Sequence, residues 1–431
     1  MEGVYNRRAG FSVVVCGVGS MWLSAIASVR MLRLTLCLVF FAAMTSVGSG
    51  QTRDPFRVAR MRMVDEDLAS EGITDERVLE AMRSVPRHLY VRPNLRGLAY
   101  FDQALDIGHK QTISPPFIVA YMTQVLDPQP DDTVLEIGTG SGYQASVLSG
   151  LVEEVYTIEI IPQLGRNAKR LLRQLGYDNV HVRVGDGYEG WPEHEPFDKI
   201  IVTCSPEDVP QPLVDQLKDG GRMIIPLGER YQQVFHLLEK KDGELVETKL
   251  LPTLFVPMTG RSEEERDVLP DPARPQIVNG DFEDLRDDEM VAGWHYQRRS
   301  TVESDGAPSG SRYLSFVNAD AGRSAHILQG LAIDGMRVQT VTVSLSLRVE
   351  GVRRGSEPQE EPALVVHFFD QRRRPIGRKR MGPWLAESES WQSVSETISV
   401  PAAAREAIVQ VGLNGATGTL SIDNIKLTPG R

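Results

Sequence analysis

The residues of this chain whose types and spacing could do chemistry are two carboxylates set around three alternating glycines. From Val134 to Gln144 an apolar run enters Gly138, Gly140 and Gly142 and then a helical stretch. Glycines at such a turn let the backbone bend tightly and approach a ligand closely. The G-x-G-x-G spacing departs from the dinucleotide fingerprint, whose third glycine stands one residue later. Glu136, just before the turn, suits a ligand with a cationic amino group rather than a pyrophosphate, which favours S-adenosylmethionine over NAD. Glu159 ends the next strand, Val155 to Ile158, at the place where a carboxylate accepts hydrogen bonds from ribose hydroxyls. A third strand, Val180 to Val184, leads into Gly185-Asp186-Gly187 and puts one more carboxylate on the same edge. Ligands of open α/β sheets bind at that edge.

The elements that must hold these groups read as a doubly wound, Rossmann-like α/β domain. Thr74 can cap a helix over Asp75 to Met82, and Pro86 stops further helix. Leucines at 164, 171, 172 and 175 predict a helix over Gln163 to Leu175, closed by Gly176. Ile200-Ile201-Val202 and Met223-Ile224-Ile225 are short apolar runs of the kind buried in a parallel sheet. Val234 to Leu238, followed by a turn over Lys240 to Gly243, predicts a closing hairpin.

At 431 residues the chain is too long for one ordinary domain. Its charge of -11, from 58 acidic and 47 basic residues, argues against a nucleic-acid partner. Cys16, Cys37 and Cys204 lack metal or disulfide spacing, and the eight histidines form no HExxH motif or close cluster, so no metal is expected. From Met31 a short basic start, an apolar core over Leu36 to Ala43 and small residues up to Gly50 have the form of a secretory signal peptide. The expectation is export to the periplasm or beyond, with no stable membrane span; a cytoplasmic location is the alternative.

Residues 1–50 thus read as a leader and 51–262 as the α/β domain. A charged and proline-rich linker follows over 263–275, and 276–431 has strand periodicity. Val341, Val343, Leu345, Leu347 and Val349 alternate with polar residues, and similar strands are expected over Ala363 to Phe369, Ala407 to Leu413 and Leu420 to Leu427. This predicts a β-sandwich.

Upstream of the glycine turn lies Gln111-Thr112-Ile113-Ser114-Pro115-Pro116. The segment resembles the Q-T-I-S-x-P signature of protein-L-isoaspartate O-methyltransferases. The likeness continues through Val134 to Ser146, Gly185 to Gly187, Pro196 to Thr203, Gly220-Gly221 and Phe255 to Met258, over about Val58 to Gly260. It implies methyl transfer from S-adenosylmethionine to the α-carboxylate of L-isoaspartyl residues in damaged proteins, a repair activity. It also implies roles. Ser114, with Thr112, would hold the substrate carboxylate. Glu136, Gly138, Gly140 and Gly142 would line the methionine end of the cofactor, Glu159 would bind ribose, and Asp186 with Gly187 would meet adenine. Phe255 and Val256 would border the isoaspartyl pocket.

Three departures from the family pattern stand out: Lys110 stands at a usual glycine, Pro116-Phe117 replaces the more usual Pro followed by His or Tyr, and Cys204 stands at a usual alanine. Val278 to Glu283, Gly293-Trp294 and Leu420 to Ile425 resemble the edges of carbohydrate-binding-module jelly rolls. That likeness implies glycan contact through 276–431, with Trp294, Trp384 and Trp391 as candidate platforms. A non-catalytic protein that attaches through the sandwich is therefore the alternative reading. Base methylation of nucleic acid is disfavoured by the charge and by Thr203-Cys204-Ser205-Pro206 where an N-P-P-[FY] loop would stand.

Overall fold

The structure, a computed structural model, describes residues 54–430 apart from Asp288. The expected leader, with Cys16 and Cys37, lies outside the described residues. Residues 56–431 cluster as one compact unit.

Five parallel strands and two antiparallel ones form the first sheet: β3 (Thr133–Ile137), β4 (Glu154–Glu159), β5 (Val180–Val184), β6 (Phe197–Val202), β7 (Leu217–Leu227), β8 (Gln233–Lys241) and β9 (Glu244–Thr253), in the order β5-β4-β3-β6-β7-β8-β9. The chain leaves β3 toward β4 and β5, then returns to its other side as β6. The order therefore reverses at β3, which makes its C-terminal end the switch point where a crevice opens. β3 is central, so Val134, Leu135, Glu136 and Ile137 are all buried. A charged residue in that run is the exception that needs a reason.

The helix predicted over 163–175 runs from Pro162–Gln174, and Gly176 beyond it has φ +81°. The β8–β9 hairpin closes through Asp242 and Gly243, both left-handed, as its turn type requires. The first helix differs at its start. It spans Glu76–Ser84 and is capped by Asp75, whose carboxylate accepts from Arg77 N, while Thr74 N donates to Gln124 Oε1 at 2.7 Å. An aspartate one residue further on competes for the cap, and a distant glutamine engages the threonine's backbone. Ahead of the main sheet, β1 (Leu105–Gly108) and β2 (Gln111–Ile113) form a small hairpin that leads into the helix Pro116–Leu126.

The C-terminal half is a sandwich of two antiparallel sheets. One holds β10 (Ser300–Glu303), β11 (Tyr313–Asn318), β18 (Thr417–Gly430), β13 (Thr340–Arg353) and β16 (Gln392–Ser399) in that order. The other holds β12 (His326–Ala332), β17 (Ala404–Gly412), β14 (Ala363–Asp370) and β15 (Pro375–Met381). The alternation along β13 does what its period demands: Val341, Val343, Leu345, Leu347 and Val349 are buried, and the intervening residues are partly exposed. Trp294 is fully buried in this core beside Phe282, so its ring offers no glycan platform.

The stretch read as a linker is fastened rather than loose. Arg261–Glu264 form a short helix, and the side chain of Arg266 is almost wholly buried. Arg266 donates to Ser205 O at 2.9 Å and lies 3.0 Å from Glu263. Its composition could not build a core, but one arginine reaching a neighbouring domain's carbonyls was enough to tie it down. The sandwich then packs on the α/β domain. His295 Nε2 lies 2.8 Å from Tyr231 O, and a Cβ on Gly330 would fall 2.7 Å from the Tyr231 ring, so only glycine permits that approach.

Candidate active site

The cleft at the end of β3 has an empty volume of about 820 Å³. Its floor is the glycine turn. Gly138, Gly140 and Gly142 all have positive φ, and a Cβ on Gly138 would stand 2.5 Å from Thr203 Oγ1. The Thr203 hydroxyl donates to the carbonyls of Ile137 and Gly138, which pins the turn to the end of β6.

Glu136 is wholly buried and lines this cleft. Its Oε2 accepts from Thr157 Oγ1 at 2.5 Å, and Thr157 in turn lies 2.6 Å from Thr139 Oγ1. Its Oε1 is buried with no hydrogen-bond partner among the described residues. Burial pushes the carboxyl up to about 8. A buried carboxylate oxygen left unmatched at the edge of a cleft is costly for the protein alone and well suited to a cationic donor. The amino group of an aminoacyl ligand fits that demand.

Glu159, also buried, accepts from Gly140 N at 2.7 Å and from Ile161 N at 2.8 Å. These bonds fix the carboxylate at the cleft wall while each oxygen keeps a lone pair for a hydroxyl donor. Burial raises its pKa, and the two backbone donors oppose that shift.

Thr112, Ser114, Glu136, Gly138, Gly140, Glu159, Gly187 and Val256 all line the cleft. Three other residues read from the sequence stand behind it. Gly142 caps the helix Tyr143–Ser149. Asp186 accepts from Tyr188 N and from Arg261 N, both at 3.0 Å, and so ties the 260–261 segment to the end of β5. Phe255 is buried edge-on against Phe235. The wall beside it is made by Val256, Pro257 and Met258, held by bonds between Ser205 and both Val256 and Met258.

Ser114 follows β2, and its hydroxyl makes no hydrogen bond to another described residue, so it is free to meet a ligand. Its carbonyl is held from below by Arg87. This fully buried arginine donates to Ser114 O at 2.7 Å and Ala99 O at 2.8 Å and lies 4.9 Å from the Tyr143 ring centroid. The sequence carries no signal for that role, since both carbonyl partners are distant from Arg87 and Arg87 itself belongs to no motif. Cys204 also borders the cleft, and burial raises its thiol pKa, which leaves it an inert small side chain.

Residues 59–263 match the family of protein-L-isoaspartate(D-aspartate) O-methyltransferases (PCMT). The chain is 52% identical over 204 residues to a protein-L-isoaspartate O-methyltransferase of Gloeobacter violaceus, covering 47% of this chain and 100% of that one. It is 49% identical over 231 residues to the like-named protein of Opitutus terrae, covering 53% and 97% respectively. A solved Plasmodium falciparum structure described as a protein of this kind, in complex with S-adenosyl-L-homocysteine, superposes with a TM-score of 0.41 at 26% identity over 46% of this chain and 98% of that chain.

Proposed function

The chain belongs to the protein-L-isoaspartate O-methyltransferase family, and we propose how its residues divide the work of transferring a methyl group from S-adenosylmethionine to the carboxylate of an L-isoaspartyl residue. The single observation that carries the assignment is the partnerless Oε1 of buried Glu136 above the glycine turn. Glu136 takes the amino group of the cofactor, the glycine turn takes its carboxylate end, Glu159 takes the ribose and Gly187 borders the adenine. Bound there, S-adenosylmethionine supplies a methyl carbon on a positively charged sulfur.

The acceptor carboxylate has an ordinary pKa of about 4 and is ionised at neutral pH, so the protein needs no general base. Its task is alignment and exclusion of water. The free hydroxyl of Ser114, with Thr112 beside it, orients the carboxylate, and the backbone at Val256 borders the peptide. The buried Arg87 acts through the Ser114 carbonyl and holds the serine turn in place.

Transfer of labelled methyl from S-adenosylmethionine to an isoaspartyl peptide, with its normal aspartyl twin as control, tests the assignment. Label on the isoaspartyl peptide alone, lost in Ser114→Ala, is the expected result; equal labelling of the twins would refute it. Export follows from the signal-peptide form of residues 31–50, and sequencing the mature N-terminus tests it. Glycan contact through 276–431 now rests on the half-buried rings of Trp384 and Trp391, and binding of the full chain to a glycan array tests it.

A further inference from the structure

A second cleft, with an empty volume of about 920 Å³, lies between the β1–β2 hairpin of the methyltransferase half and the β14–β15 hairpin of the sandwich. Its charged lining is Arg92, Lys110, Arg372 and Arg374 against the single carboxylate of Asp106, with His109 beside them. The excess is local, since the whole chain carries -11. Two of the four cations are already matched: Arg92 lies 2.7 Å from Asp106, and Arg374 lies 2.6 Å from Asp370. Lys110 and Arg372 are exposed and make no ion pair with a described residue, so their charge is available to a partner.

This cleft adjoins the methyl-transfer site at two places. Lys110 lines the basic cleft and the next residues, Gln111 and Thr112, line the other; Ile161 lines the basic cleft and Ile160 the other. A peptide with its isoaspartyl group at Ser114 continues out of the site, and at about 3.3 Å per extended residue its next few side chains come within reach of Lys110. The hairpin that brings Arg372 there is anchored, because Arg373 turns inward to Glu406 with Nε 2.9 Å from Oε2.

Lys110 also occupies a position that its backbone disfavours. His109 and Lys110 have φ of 57° and 68°, the left-handed pair of a two-residue hairpin turn in which glycine is the usual second residue. The turn thus holds a charged side chain where glycine would be less strained.

On the reading that the α/β half methylates isoaspartyl peptides, we infer that the C-terminal sandwich completes a basic subsite which selects substrates with acidic residues flanking the isoaspartate. Lys110 and Arg372 supply the unpaired charge, one from each half of the molecule.

The test uses the full chain and two isoaspartyl peptides that differ only in having two Glu or two Gln within the four residues on either side of the isoaspartate. The acidic peptide is expected to have a KM about five- to tenfold lower at low salt, with kcat unchanged, as two solvent-exposed charge pairs allow. The gap closes in 0.5 M salt, whose screening length is a few ångströms, and in the double variant Lys110→Gly with Arg372→Ser. Lys110→Gly relieves the left-handed turn, so a lost preference in that variant is not a folding defect. Equal KM for the two peptides in the native chain overturns the inference and leaves the activity standing, whether or not a labelled oligonucleotide binds the cleft. A gap that survives in the double variant also overturns it. No methylation of either peptide overturns the activity itself.

Discussion

The guanidinium of Arg298, just ahead of the first strand of the sandwich, lies 3.1 Å from the carboxylate of Asp102 in the methyltransferase half. The other oxygen of Asp102 accepts from Phe117 N at 2.9 Å, at the start of the helix that follows Ser114. Arg298 also lies 3.2 Å from Glu71 and 3.8 Å from the Phe117 ring centroid. The C-terminal half is thereby joined through one arginine to the segment that presents the substrate-side hydroxyls. Both partners are largely buried, so this pair is of the kind that is expensive to break from one side.

Arg298→Met is therefore expected to cost about 3 kcal/mol, because it strands Asp102 in a site where burial already raises its pKa. Urea unfolding of the full chain measures it. Loss of less than about 1 kcal/mol would show that solvent or a neighbour takes the place of the guanidinium.

Glu136 sets a pH dependence with a definite sign. Its folded pKa is about 8 against an ordinary 4.5. Between those values the folded cofactor-free protein keeps a proton that the unfolded chain has lost. This contribution is favourable to neither state below about 4.5, then erodes stability as pH rises, and levels off near 8. The loss over the window is about 3 to 5 kcal/mol, and Glu136→Gln should flatten it. A cationic ligand group reverses the preference, so S-adenosylhomocysteine binding should tighten as pH rises toward 8. Thermal unfolding against pH, with and without that ligand, checks both statements.

Ser114→Ala should lower kcat by about 10- to 100-fold while S-adenosylhomocysteine affinity stays within about twofold, since a positioning hydroxyl contributes little to the ground state of the cofactor. Arg87→Lys should reproduce part of that kcat loss, because an ammonium is a point donor that cannot span the Ala99 and Ser114 carbonyls as a guanidinium fork does. Steady-state kinetics and calorimetry separate the two parameters. A fall in affinity equal to the fall in kcat would place Ser114 on the cofactor instead.

Gly330→Val should loosen the two halves. Its Cβ would meet the Tyr231 ring at 2.7 Å, an overlap that costs about 1 to 3 kcal/mol if the ring cannot move. Limited proteolysis should then cut faster within 261–275, the segment that joins the two halves. An unchanged cleavage rate would mean that the interface does not restrain this segment.

The local pattern alone determined the cofactor cradle, the sheet that carries it and the sandwich, for a physical reason. Strand period, glycine turns and a carboxylate at a strand end are properties of neighbouring residues, so Gly138, Glu136 and Glu159, like the alternation along β13, are legible in the sequence. The cap at Asp75 was missed by one residue because two good capping side chains stand together and only a contact from Gln124 separates them. Arg87 was invisible because its partners lie 12 and 27 residues away. The tertiary structure alone decided that Phe255 faces Phe235 while Val256 faces the cleft, that Trp294 is core, and that Asp186 also accepts from the backbone of Tyr188 and Arg261. It alone also brought Lys110 and Arg372 to one cleft. Long-range packing determines which face of a segment is covered, and no residue's own sequence neighbours carry that information.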